Sequence, residues 1–155
     1  MLRAMLLILA TLLIAVFTGA TADAPWFDLQ KCEFCNKIAA QPGLVEHMRT
    51  EYHNLHNGTM SVTHIDEEYH PAFAKALAAM QPVVRDLQAG KKVYTCPHCT
   101  MLGELYLAGV IADEVKSGDD IMTIYTSSDS TMAKKLQEFG RKSAEGIAAL
   151  ATKPK

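Results

Sequence analysis

The chain has 155 residues, 49% of them hydrophobic and 21% charged, with a formal net charge of −2. That length allows one domain or two very small ones. The near-zero charge argues against a nucleic-acid partner, which needs a basic face to neutralise phosphates. Four cysteines and six histidines are the unusual components.

The first segment reads as an address. Arg3 is the only charge before Asp23, and an apolar stretch runs from Met5 to Phe17. A basic start, an apolar stretch of this size and small residues at Ala20 and Ala22 describe a secretory signal peptide, 1–22, cleaved before Asp23. The expectation is a periplasmic or secreted protein with no permanent membrane anchor after cleavage. The mature chain has 133 residues (155 less 22), and without Arg3 it carries 14 basic against 17 acidic side chains. Outside the cytosol, paired cysteines oxidise unless a metal or a redox partner holds them.

The remaining sequence reads as one unit written twice, 23–90 and 91–155. Cys32-Glu33-Phe34-Cys35 and Cys96-Pro97-His98-Cys99 are offset by 64 (96 − 32), and similar segments follow each pair. Such internal repetition sets the architecture. Short extended runs, 26–29 and 92–95, precede the two pairs and read as strands. A short helix is expected after each pair. A β-hairpin comes next, turning at Asn57-Gly58 in the first unit and Gly118-Asp119 in the second. Met60 then corresponds to Met122, at an offset of 62.

Each unit closes on an amphipathic helix. Phe73, Leu77, Met80, Val84 and Leu87 form the first stripe, with Pro71 at its start, Pro82 inside and Gly90 as its stop. Met132, Leu136, Phe139, Ile147 and Leu150 form the second. Residues 88–92 are the junction. The expected fold is α+β: two tandem βαββα repeats packed as one compact body, because a unit of about 60 residues buries a marginal core alone.

A Cys-x-x-Cys after a first strand, followed by helix, hairpin and helix, resembles the heavy-metal-associated domains of copper chaperones. The resemblance implies a ferredoxin-like fold and binding of Cu(I) or another soft metal by the two thiolates. Cys96-Pro97-His98-Cys99 also resembles the active-site motif of thioredoxin-fold periplasmic disulfide oxidases. That resemblance implies Cys96 as nucleophile and Cys99 as resolving thiol.

The residues themselves leave three readings open. Two thiolates on one turn can bind a metal, exchange disulfides, or serve only as staples, as two local disulfides or one four-cysteine zinc site joining the repeats. A disulfide closing so short a loop removes little chain entropy, which favours binding or redox over a mere staple.

The histidines are lopsided: His47, His53, His56, His64 and His70 lie in the first unit, and His98 is the only one in the second. A turn at Asn57-Gly58 puts Glu51, His53, Leu55, Met60, Val62 and His64 on one sheet face. The second unit has Ile111, Asp113, Val115, Met122, Ile124 and Thr126 at the matching places. Two imidazoles and a carboxylate suit Zn(II) or Cu(II). In a ferredoxin-like unit the hairpin tip lies at the same end as the Cys loop, which would bring His53 and His56 towards Cys32 and Cys35.

The sequence therefore predicts a binder of copper or zinc for transfer, sensing or sequestration, working with a periplasmic or membrane metal-handling partner. Its candidate ligands are Cys32, Cys35, Cys96 and Cys99, followed by His53, His56, His64 and His98. A thiol–disulfide oxidoreductase using Cys96 and Cys99 is the alternative.

Overall fold

A computed structural model describes residues 24–152; the expected leader, 1–22, lies outside that range. The elements in chain order are α1 (Cys35–Ala39), β1 (Met48–Leu55), β2 (Gly58–Ile65), a 3-10 turn (Glu67–Tyr69) and α2 (His70–Gln88). Then follow α3 (Pro97–Leu107), β3 (Ile111–Ser117), β4 (Asp120–Thr126) and α4 (Ser130–Ala151). Both halves run helix, strand, strand, helix. The class is α+β, as expected.

The expected leading strands at 26–29 and 92–95 do not form, so neither half is a βαββα unit. In the first segment the Asp28 carboxylate accepts the backbone N–H groups of Gln30 and Lys31, at 3.1 and 2.9 Å. An aspartate that satisfies the backbone locally makes a turn and competes with a sheet ladder. The two segments instead cross between the halves. The Tyr94 carbonyl accepts from the N–H of Glu33 at 3.0 Å, and the Trp26 carbonyl from that of His98 at 3.2 Å.

The two hairpins share one antiparallel sheet in the order β1-β2-β4-β3. Between β2 and β4, Met60 pairs with Ile124, Ser61 with Thr123 and Val62 with Met122. Shifting the first-half partner by 62 residues, and the second-half partner back by 62, turns each of these pairs into another pair of the same ladder. Ser61 and Thr123 exchange with each other, so an approximate two-fold axis passes through that pair. The halves are therefore joined within one sheet.

The second hairpin turns at Gly118-Asp119 as expected, with Gly118 at φ 59°. The first turns at His56-Asn57, one residue early, because Leu55 pairs with Gly58. Gly58 is taken into β2, where a Cβ would collide with the Tyr125 carbonyl oxygen of β4. Its role is close approach, not the turn. Gly58→Ala is expected to cost about 2 kcal/mol in urea unfolding, the usual scale of an overpacked site. Gly103→Ala, where a Cβ meets nothing within 4 Å, is expected to stabilise α3 by about 0.5–1 kcal/mol.

The register differs from the expected one by two residues, so it keeps Glu51, His53, Leu55, Met60, Val62 and His64 on one face. That face is not the one the helices cover. α4 packs on β1 and β2 over the opposite face, which carries Tyr52, Thr59 and Ser61. Small side chains there admit a close helix: a Cβ on Gly140 would collide with the Thr59 hydroxyl. The Thr59 hydroxyl is satisfied by the His53 carbonyl at 3.2 Å.

The first half of the α4 stripe packs as predicted, while Ile147 and Leu150 stay partly exposed outside the core. Leu136 and Phe139 are fully buried with Leu105, Val110 and Tyr125, and Met132 packs against them. The Asp129 carboxylate caps the helix by accepting from the Met132 N–H at 2.7 Å. The α2 stripe is rotated. Ala76 and Val83 are its buried residues, while Leu77 and Leu87 are 43% and 41% exposed. Two adjacent helical stripes share Phe73 and Met80, and neighbours decide between them. Here the N-terminal half of α2 docks on Leu44, Ile65 and Ile121, which favours the line through Phe73 and Ala76.

Candidate metal centre

Each cysteine pair starts a helical turn. Cys35 opens α1, Cys96 precedes α3 as its cap, and Cys99 lies in the first turn of α3. The Cys32 carbonyl accepts from the Asn36 N–H, and the Cys96 carbonyl from the Thr100 N–H, both at 2.9 Å. Both pairs thus have the same local geometry. Pro97 suits the first helical position, where no N–H is needed. The crossing bonds from Glu33 to Tyr94 and from His98 to Trp26 then tie one turn to the other.

All four sulfurs converge. The Sγ atoms of Cys32, Cys35, Cys96 and Cys99 lie within 4.8 Å of one another. Cys35 Sγ is 3.6 Å from Cys96 Sγ and 3.7 Å from Cys99 Sγ. The cysteines are free. A tetrahedral ion with metal–sulfur bonds of ~2.3 Å sets its sulfurs ~3.8 Å apart. The observed spacing matches that edge and is far beyond an S–S bond of ~2.05 Å. Cys32 and Cys96 are fully buried, Cys35 nearly so, and Cys99 is partly exposed. Phe27, Leu29 and Phe34 pack around the cluster. Four thiols and an apolar shell form a closed donor set.

The thiols do not titrate alike. Cys32 is driven well below the usual thiol range, first by donation from Cys35 and then by donation from Cys96 and Cys99. Cys96 sits at about 6. The Cys32 thiolate opposes its ionisation, and donation from Cys35 and Cys99 outweighs that. Cys35 and Cys99 are pushed up, each chiefly by its bond to the Cys32 thiolate. Cys32 and Cys96 are thus shifted towards the thiolate, and Cys35 and Cys99 towards the thiol.

His98 lies beside this cluster. Its ring packs at a tilt against Phe27 and Phe139, with centroids 4.4 and 4.9 Å away, and its Nε2 is 3.3 Å from the Tyr52 hydroxyl. Burial lowers its pKa to about 4, so the ring is neutral at physiological pH. Its Nδ1 is buried without a hydrogen-bond partner. His98 therefore links the cysteine turn to the core of α4 and the sheet.

The other candidate histidines are engaged elsewhere. His53 is 3.4 Å from the Glu51 carboxylate, and His56 lies in the first hairpin turn. His64 Nδ1 is 2.8 Å from Asp120, and its Nε2 is 3.4 Å from Asp66. His47 Nδ1 is 2.7 Å from Asp66, and His70 Nε2 is 3.0 Å from the Ile65 carbonyl. Among the described residues, the four cysteines are the group placed to hold a metal, and no histidine belongs to it.

Two contributors escaped the sequence reading. Asp28 builds the turn into the first pair, and its signal was the Asp-x-x-Lys run before Cys32. Tyr52, the partner of His98, gave no local signal, since 46 residues separate the two. No protein-family model, curated protein or solved structure matches the chain.

Proposed function

We propose that this is a secreted transition-metal protein whose two repeats jointly hold one zinc ion in a tetrahedral four-thiolate site. The convergence of four sulfurs from both halves, at tetrahedral spacing, carries this reading. Zinc fits best because closed, buried four-cysteine sites are its characteristic structural environment. Transfer of Cu(I) between partners needs an exposed pair of thiolates, and here only Cys99 reaches the surface. The expected secretion rests on the leader composition of 1–22. In an oxidising compartment, a bound ion would keep the four thiols from pairing. A periplasmic metal-handling partner would supply the ion.

The redox alternative draws on Cys96, which caps α3 and has a lowered pKa. Attack on a disulfide requires an accessible nucleophile. Cys96 is buried and Cys99 is the partly exposed thiol, the reverse of that requirement. A neutral His98 also supplies no positive charge to the thiolate.

The test is metal analysis of the purified protein combined with thiol counting. One zinc per chain and four thiols reactive only after denaturation and chelation are expected. No metal and no free thiols would make the cysteines disulfide staples.

Proton release gives a second check. Four unperturbed thiols, with pKa near ~8.5, would release about four protons on binding at neutral pH. With Cys32 and Cys96 already ionised, calorimetry in buffers of different ionisation enthalpy should count about two. Lowering the pH through 6 protonates Cys96, so affinity should fall more steeply below that point than above it.

A further inference from the structure

The sheet is covered on one face, where α4 lies over Tyr52, Thr59 and Ser61. The opposite face has an apolar centre of Met60, Val62, Met122 and Ile124, contributed by the two inner strands. Each of these four is partly exposed, and on the outer strand Val115 is 46% and Ile111 62% exposed. Among the described residues, α4 is the only helix with extensive contacts to the sheet, and it lies on the other side. An apolar patch with a polar rim is the usual anatomy of an interface.

We infer that this open face is the interface of a homodimer, with a second copy of the chain as its occupant. The face is largely self-complementary under a two-fold axis that runs parallel to the strands, between β2 and β4. Such an axis lays β2 of one copy over β4 of the other, and β1 over β3, with each row kept at its own height. The register then sets Val62 against Met122 of the second copy and Met60 against its Ile124. In the outer columns His53 meets Asp113 of the second copy, whereas Asp120 is already held by His64 of its own chain at 2.8 Å and adds no new pair. Across the centre apolar side chains meet apolar ones, at one edge the His53 imidazole meets the Asp113 carboxylate, and Glu51 over Val115 is the one mismatched pair. Of the first-half histidines, His53 acquires a role here, as the basic position opposite Asp113. Aligned face-to-face packing of two sheets is a standard arrangement.

The size of the face sets the strength. Four strands about 4.8 Å apart, seven residues long at about 3.3 Å each, give a flat footprint of roughly 440 Å². That is small against the ~800 Å² per partner of a standard interface, so the dimer should dissociate on dilution.

The experiment is sedimentation equilibrium of the metal-loaded chain from about 1 μM to about 1 mM, the range in which weak interfaces dissociate. A monomer–dimer equilibrium is expected. Met60→Glu and Met122→Glu should each leave a monomer that retains its metal and its circular dichroism spectrum. His53→Asp should weaken the dimer at least tenfold by opposing two carboxylates, and adding Asp113→Lys should restore it. A monomer at every concentration, or a dimer indifferent to Met60→Glu, would overturn the inference. So would a monomer whose Met60 and Met122 resist oxidation by peroxide, because another segment of the chain would then cover the face.

Discussion

Stripping the metal with a chelator, or replacing Cys35 or Cys96 with serine, is expected to lower the melting temperature by about 15–20 °C. The size follows from what the centre ties together. Residues 24–34 and 89–96 carry no helix or strand, and the crossing bonds at the cysteine turns hold them in place. Structural zinc sites contribute ~10–16 kcal/mol of apparent binding energy, a part of which becomes folding energy where the rest of the fold has its own core. Losing about 5 kcal/mol of it in a chain of this length corresponds to the stated shift. Without the ion, two thiolates and two thiols remain crowded in an apolar shell, which adds a penalty of its own. Calorimetry on the loaded and chelated protein gives the comparison. His53→Ala, His56→Ala and His64→Ala should change zinc affinity by less than about threefold, because none of these side chains belongs to the sulfur cluster.

Phe139→Ala is expected to cost about 3–5 kcal/mol, the range for truncating a fully buried aromatic. Phe139 lies at the centre of an aromatic group. Its ring is 4.9 Å from His98, 6.0 Å from Tyr52, 6.1 Å from Tyr125 and 6.4 Å from Trp26. Because His98 sits between Cys96 and Cys99, losing this contact should loosen the metal turn as well as the core. Zinc release, followed with a colorimetric chelator, should therefore accelerate. Leu44→Ala removes a fully buried residue from the separate cluster around Ile65 and Ala76, and should cost about 2–5 kcal/mol. Its zinc release should stay close to that of the parent protein. Equal acceleration in the two variants would show that release follows global stability and not the link through His98.

The parts legible in the sequence were those governed by local chemistry and periodicity. The α4 stripe at Met132, Leu136 and Phe139, the Gly118-Asp119 turn and the Gly90 stop after α2 all follow from spacing and backbone preference. The parts that were not legible depend on long-range choice. Trp26 to Leu29 looks like a strand until the Asp28 carboxylate takes two backbone N–H groups. Gly58 looks like a turn residue until Tyr125 comes close from the other half of the chain. The sheet face with Met60, Val62, Met122 and Ile124 has an apolar centre, yet the helices cover the opposite face, where Tyr52, Ile65, Ile121 and Tyr125 join the small side chains of Thr59 and Ser61. Gly140 fits against Thr59 there, and the buried hydroxyls find partners. At the site, spacing identified the four cysteines but allowed two separate pairs or one joint centre. Only the crossing of 26–29 and 92–95 brings them together.

The most direct test of the joint centre is X-ray absorption at the metal edge of the loaded protein. Four sulfurs at ~2.3 Å with no nitrogen or oxygen in the coordination sphere are expected. A sphere of two sulfurs with imidazole nitrogens or water would contradict it, and would return the ligands to a single cysteine pair.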